Sequence, residues 1–144
     1  MSTAPVAAER AGAIVSRGVD FDTVGGLTMG ADALAHGIAL LSGTSWFTVR
    51  KAAKEHGKQQ LIEGADVNGA SALLVDDVVT TGGSIEQALE AIVASGATVR
   101  LAVCLVDRSG RAHELLSAHD VEFAPLCTWE DLGIEPVGDG RVFA

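Results

Sequence analysis

Along this chain, short runs of consecutive apolar residues alternate with longer stretches whose apolar positions fall three and four apart. The first spacing belongs to strands buried on both faces, the second to helices with one apolar side. Val6 to Arg17 is Ala-rich and reads as a helix that stops near Gly18. Phe21 to Gly26 reads as a strand ending in a glycine pair, Asp32 to Leu41 as a helix closed near Gly43, and Ser45 to Arg50 as a second strand. Lys51 to Gln60 is polar and cationic, Leu61 to Glu63 is a brief apolar return, and Asn68-Gly69 signals a turn. Ala72 to Val75 is apolar and suits a strand, which runs into Asp76-Asp77. Ser84 to Ala94 carries helical spacing through Ile85, Ala88, Leu89, Ile92 and Val93, and Val99 to Val106 is a nearly continuous apolar strand. Ala112 to Ala118 reads as a helix, Val121 to Ala124 as a short strand, and Thr128 to Leu132 as a helical turn.

Strands and helices that alternate in this way predict an α/β fold, with a mostly parallel central sheet flanked by helices on both faces. Such sheets bind ligands beyond the C-terminal ends of their strands. The loops that follow the predicted strands are therefore the places to look for chemistry.

Composition narrows the picture. The chain has 144 residues, 48% of them hydrophobic, and a mean hydropathy of +0.32. That is enough for one domain, 1–144, with a real core, and too apolar for disorder. No apolar run approaches the ~20 residues of a membrane span, so no membrane partner is expected. The net charge of −9 leaves no footprint for nucleic acid. Yet Arg50, Lys51, Lys54 and Lys58 gather four of the ten Lys and Arg residues into nine positions, as an anion site requires. Cys104 and Cys127 have neither metal-ligand spacing nor a disulfide framework, and the N-terminus carries no signal peptide; a reducing, cytoplasmic location is the expectation. His36, His113, His119, Trp46 and Trp129 read as packing or surface residues.

The most informative segment is Leu73-Leu74-Val75-Asp76-Asp77-Val78-Val79-Thr80-Thr81-Gly82-Gly83-Ser84, which opens a helix. A buried strand delivers two adjacent carboxylates, and small hydroxyl and glycine residues then form a backbone N–H cradle at a helix N-terminus. The cradle suits a phosphate. Carboxylates beside it need another partner, and the vicinal hydroxyls of a sugar supply one. A pentose phosphate satisfies both halves. The pattern is neither a P-loop nor a dinucleotide fingerprint.

This segment resembles the phosphoribosyl-pyrophosphate loop of type I phosphoribosyltransferases. The resemblance implies that Asp76 and Asp77 hold the ribose hydroxyls while Val78, Val79, Thr80, Thr81, Gly82, Gly83 and Ser84 wrap the 5-phosphate. Arg50-Lys51-Ala52-Ala53-Lys54-Glu55-His56-Gly57 resembles the mobile catalytic loop of orotate phosphoribosyltransferases, here residues 50–60. By that resemblance Arg50, Lys51, Lys54 and His56 contact the pyrophosphate, Lys54 acts with Asp76 and Asp77 in catalysis, and the loop reaches the neighbouring site of a homodimer. Val24-Gly25-Gly26-Leu27-Thr28-Met29-Gly30-Ala31-Asp32 resembles the pyrophosphate-side loop, with Gly26, Thr28 and Gly30 at the site through backbone groups; Gly30 stands where many orotate enzymes have a lysine. Arg108 and Thr80 match the residues that contact the base.

The family further implies phosphoribosyl pyrophosphate and orotate as substrates, and Mg²⁺ carried mainly by the pyrophosphate with no direct protein ligand. The resemblance spans roughly Asp20 to Leu132, and upstream only about nineteen residues precede the first strand. None of them matches the N-terminal hood that covers the base in orotate enzymes, so the expectation is either a natural short form or a fragment of a longer protein. Two other readings remain open at this point: the same reaction on another base, and a phosphoribosyl-pyrophosphate-binding regulatory domain without turnover.

Overall fold

The computed structural model describes residues 20–52 and 60–138; the helix expected over Val6 to Arg17, and Lys54, His56 and Lys58, lie outside the described residues. Six strands form one sheet: β1 (Thr23–Leu27), β2 (Ser45–Val49), β3 (Ile62–Gly64), β4 (Ser71–Val79), β5 (Thr98–Asp107) and β6 (Glu122–Thr128). Their spatial order is β3-β2-β1-β4-β5-β6, and all neighbours are parallel except β3, which pairs antiparallel with β2. Helices α1 (Asp32–Ser42), α2 (Gly83–Ala94), α3 (Arg111–Ser117) and α4 (Trp129–Leu132) occupy the connections.

The two sheet faces build separate cores. Val24, Leu73, Val75 and Val103 pack with Ala31, Ala35 and Ile38 of the α1 region. Phe47, Val49, Leu74 and Ala102 pack with Ile85, Leu89 and Ile92 of α2 and Leu116 of α3. Leu73 and Leu74 thus go to opposite faces, as strand alternation demands. From β1 the chain proceeds to β2 on one side, and from β4 to β5 and β6 on the other. The order therefore reverses between β1 and β4, which makes the C-terminal ends of these two strands the switch point where parallel sheets leave a crevice.

Three boundaries differ from the sequence reading. β4 does not stop at Val75 but continues through Asp76, Asp77 and Val78 to Val79, because β5 pairs with it as far as Val79↔Asp107. β6 runs on past Ala124 to Thr128, with Pro125 inside it. Pro125 is tolerated because β6 is an edge strand, paired only with β5 among the described strands. Finally, β1 starts at Thr23 and runs one residue past the expected end, to Leu27, so Gly25 and Gly26, which the resemblance also counts in the loop, lie within it. A Cβ at Gly26 would sit 1.9 Å from the Val75 carbonyl oxygen, so this glycine serves the close approach of β1 to β4.

Two glycines separate packing from propensity. Gly26→Ala should cost about 1–3 kcal/mol through overpacking against Val75. Gly37→Ala, in the middle of α1 with nothing within 4 Å of the added methyl group, should stabilise by about 0.5–1 kcal/mol. Urea unfolding of both variants checks the opposite signs.

Candidate active site

The loops after β1 and β4 flank the switch point. After β1 the Thr28–Met29 peptide is cis, and the chain enters α1 through Gly30 and Ala31. The Thr28 N–H donates to the Val49 carbonyl, and the Ala31 N–H to that of Leu27. Among the described residues the N–H groups of Met29 and Gly30 have no acceptor. Together with Arg50, Lys51 and Ala52, this turn lines an open cavity of about 590 Å³. A second cavity of about 690 Å³, between β3 and the C-terminal end of α2, has no cation in its lining, so the first is the one suited to an anion.

Gly30 sits directly against the acid pair. A Cβ there would lie 2.7 Å from Asp77 Cγ, so any side chain would have to displace that carboxylate. This contact places Asp77 on the α1 face of β4, and alternation places Asp76 on the α2 face. The two acids therefore straddle the strand end instead of pointing the same way. Asp77 is half-buried, and its Oδ1 accepts the Val78 N–H at 2.7 Å; Asp76 is buried, and its Oδ1 accepts the Asp77 N–H at 2.8 Å. Burial raises the pKa of Asp76 from its ordinary 3.8 to about 6; the Asp77 N–H opposes this, and the neighbouring Asp77 side chain and its charge add to it.

Beyond Val79 the loop holds Thr80, Thr81, Gly83 and Ser84 exposed around the start of α2. Gly82, at φ 89°, is the N-cap, and no side chain caps the helix. Only a long contact of 3.4 Å, from the Gly83 N–H to Thr81 Oγ1, engages the first turn. The N-terminus of this twelve-residue helix thus presents free N–H groups and the positive end of its dipole at the crevice.

The cationic segment begins where β2 ends. The Arg50 N–H donates to the Leu61 carbonyl, and its guanidinium pairs with Glu63 on β3 at 3.3 Å. The Lys51 carbonyl accepts from Gln87 Nε2 of α2 at 3.1 Å. Arg50 and Lys51 are therefore brought to the cavity beside the Met29–Gly30 turn, whereas Lys54 and His56 lie outside the described residues.

At the end of β5, the Arg108 N–H donates to the Val79 carbonyl and Ser109 Oγ to that of Thr80. These bonds bring Arg108 and Thr80 together. Arg108 Nε is buried and has no partner among the described residues. The C-terminal segment crosses behind it, with the Val137 N–H on the Arg108 carbonyl at 2.7 Å.

Three of the expected residues have side chains or positions already engaged in the fold. Gly26 is a packing residue of β1, and Val79 is buried at the end of β4. The Thr28 hydroxyl donates to Asp32 Oδ2 at 2.8 Å, so the proton it could have offered an anion is already used. Asp32, Thr48, Gln87 and Ser109 support the site without having been singled out from the sequence. The position of Asp32, opening a helix directly after a glycine turn, was the available signal.

A family model described as "Phosphoribosyl transferase domain" matches residues 20–126. The chain belongs to this family. Phosphoribosyl transferase relatives named orotate phosphoribosyltransferase include one from Corynebacterium glutamicum, 41% identical over 117 residues, or 80% of this chain and 64% of that protein. One from Mycobacterium tuberculosis is 40% identical over 118 residues, covering 81% and 66%. The chain thus spans about two thirds of the length of these relatives. Among solved structures, the M. tuberculosis orotate phosphoribosyltransferase in complex with Fe(III) dicitrate superposes with a TM-score of 0.78 at 36% identity, covering 92% of this chain and 75% of that one. The same enzyme in complex with 5-phospho-α-D-ribosyl 1-diphosphate gives 0.74 at 33% identity, covering 92% and 76%. The mostly parallel α/β sheet is the fold of this family.

The raised pKa of Asp76 has a measurable consequence. The unfolded carboxyl loses its proton near pH 3.8 and the folded one near 6, so between these values the unfolded state binds fewer protons and stability falls as pH rises. Asp76→Asn should abolish that contribution. In urea unfolding across the pH range, the variant's gain over the wild-type chain should grow from about pH 4 to about 6 and then level off. A difference that does not vary with pH would contradict it.

Proposed function

We propose that this chain carries an orotate phosphoribosyltransferase activity. It transfers the phosphoribosyl group of phosphoribosyl pyrophosphate to orotate, giving orotidine 5-monophosphate and pyrophosphate in de novo pyrimidine biosynthesis. One observation carries the reading: an uncapped helix N-terminus, an acid pair and a cation-lined cavity meet at a single sheet switch point. The names of the relatives support the choice of base.

In this reading the N–H groups opening α2, with Thr80, Thr81 and Ser84, hold the 5-phosphate, while the carboxylates of Asp76 and Asp77 accept from the ribose hydroxyls. The Met29 and Gly30 amides, Arg50 and Lys51 receive the diphosphate, joined by Lys54 and His56. The buried Arg108 Nε offers its unmet N–H to the carboxylate of the base, beside Thr80. In the reaction the anomeric C–O bond breaks, its electron pair leaves with the diphosphate, and a ring nitrogen of the base forms the new bond and loses its proton to water or to the departing diphosphate. Positive charge builds on the sugar and negative charge on the leaving group. Cations that meet the departing diphosphate therefore stabilise the transition state more than the ground state.

Mg²⁺ belongs to this reading as a companion of the diphosphate. No cluster of three or more His, Cys, Asp or Glu among the described residues is arranged as a metal site, whereas hard carboxylate oxygens stand at 76 and 77. That donor set fits an ion held mostly by substrate oxygens and waters, with Asp76 and Asp77 receiving those waters. Bound so, the ion supplies charge neutralisation. A homodimer completes the proposal, with the 50–60 segment rooted at this chain's own cavity through Arg50 and Lys51 and its later residues reaching the site of the other copy, and so does a cytoplasmic location. No helix among the described residues is long and apolar enough to cross a membrane.

Pure protein with phosphoribosyl pyrophosphate, Mg²⁺ and single bases should release pyrophosphate with orotate. Release with another base instead would move the substrate assignment, and tight binding without turnover would leave a regulatory domain. Lys54→Ala should lower kcat by roughly a hundredfold with little loss of phosphoribosyl pyrophosphate affinity. Equal losses in both would contradict a transition-state role.

A further inference from the structure

We propose that Asp32 is a positioning residue that sets the distance between the two walls of the diphosphate cavity; only the identity of that ligand rests on the phosphoribosyl-transfer reading. Its carboxylate divides its two oxygens between two hydroxyls. Oδ2 accepts from Thr28 Oγ1 at 2.8 Å, and Oδ1 from Thr48 Oγ1 at 2.7 Å. Thr28 opens the turn whose Met29 and Gly30 amides lack acceptors among the described residues. Thr48 lies in β2, two residues before Arg50, in register with Gly26 on one side and Glu63 on the other. The turn and the start of the cationic segment are the two walls of the cavity, and Asp32 is bonded to the strand ends that carry both.

The chemistry calls for a carboxylate. Two hydroxyl donors on separate strand ends need two acceptors with no competing donor, which an ionised Asp supplies and an amide does not. Bonds to a charged acceptor are the stronger kind. An acid in the first turn of a helix ordinarily serves the N–H groups of that helix; here both oxygens reach across to other elements instead. The dipole of the eleven-residue α1 stabilises the negative charge, which allows a carboxylate to stand close to an anion site. The arrangement also consumes the Thr28 proton, leaving recognition of the anion to backbone amides and cations.

The test is calorimetric titration of the whole chain with two fragments in separate experiments: inorganic pyrophosphate with Mg²⁺, which reports this cavity, and ribose 5-phosphate, which reports the acid pair and the α2 N-terminus. Asp32→Ala should weaken pyrophosphate about tenfold or more, the worth of one charged hydrogen bond, and ribose 5-phosphate much less. Asp32→Asn, which keeps one acceptor, should fall between. Thr48→Val, whose side chain does not line the cavity, should weaken pyrophosphate about threefold alone and add nothing to Asp32→Ala, the non-additivity of a shared bond. Thr48→Val also carries the test by itself if Asp32→Ala does not fold. Unchanged pyrophosphate affinity, or equal weakening of both fragments, overturns the positioning role. Wild-type binding of ribose 5-phosphate without pyrophosphate overturns it too and leaves the phosphoribose reading standing. Binding of neither fragment overturns both.

Discussion

The pairing of β4 with unequal partners is the constraint on which this site depends. β1 keeps register with β4 only as far as Gly25↔Leu74, whereas β5 continues to Val79↔Asp107. Along Asp76 to Val79 the strand is therefore held from one side and free on the other. This asymmetric end, at the point where strand order reverses, holds the acid pair rigid in backbone yet open to a ligand. The carbonyl of Val79 anchors Arg108 from the same ladder. The acid pair, the start of α2 and Arg108 thus inherit their spacing from one run of main-chain bonds.

Close backbone approach is the second theme. β1 can lie against β4 because Gly26 has no side chain, and the following turn can touch Asp77 because Gly30 has none. In the exposed turn at Met29 and Gly30 the missing side chain leaves backbone N–H groups near the Asp77 carboxylate. A loop that binds by amides needs its geometry supplied from outside, since it has no side chains to pack. Here Asp32, Thr48 and the Val49 carbonyl supply it. The glycines of the chain thus serve both packing contacts of this kind and turns such as Gly82.

Charge is distributed along the same lines. An acidic chain concentrates cations at residues 50–58 and balances Arg50 with Glu63 on the neighbouring strand. That exposed pair contributes little to stability; it holds the guanidinium beside the cavity. The Asp76 carboxyl has the opposite character, buried and weakened as an acid.

Much of this was legible in the sequence, because local physics wrote it there. The nearly continuous apolar runs at 72–75 and 99–106 read as strands of a covered sheet, and the small residues from Thr80 to Ser84 read as a loop that opens a helix. The clustering of Arg50, Lys51, Lys54 and Lys58 was equally visible. What the sequence could not decide were matters of neighbours. Two aspartates look like the end of a strand until β5 pairs past them. Pro125 looks like a break until β6 proves to be an edge, and Gly26 looks like a loop residue until the Val75 carbonyl stands where its Cβ would be. Local pattern determined the elements and the chemistry of the loops. Only the tertiary structure decided which faces the two acids take and which strand ends Asp32 joins, because both follow from contacts between residues far apart along the chain.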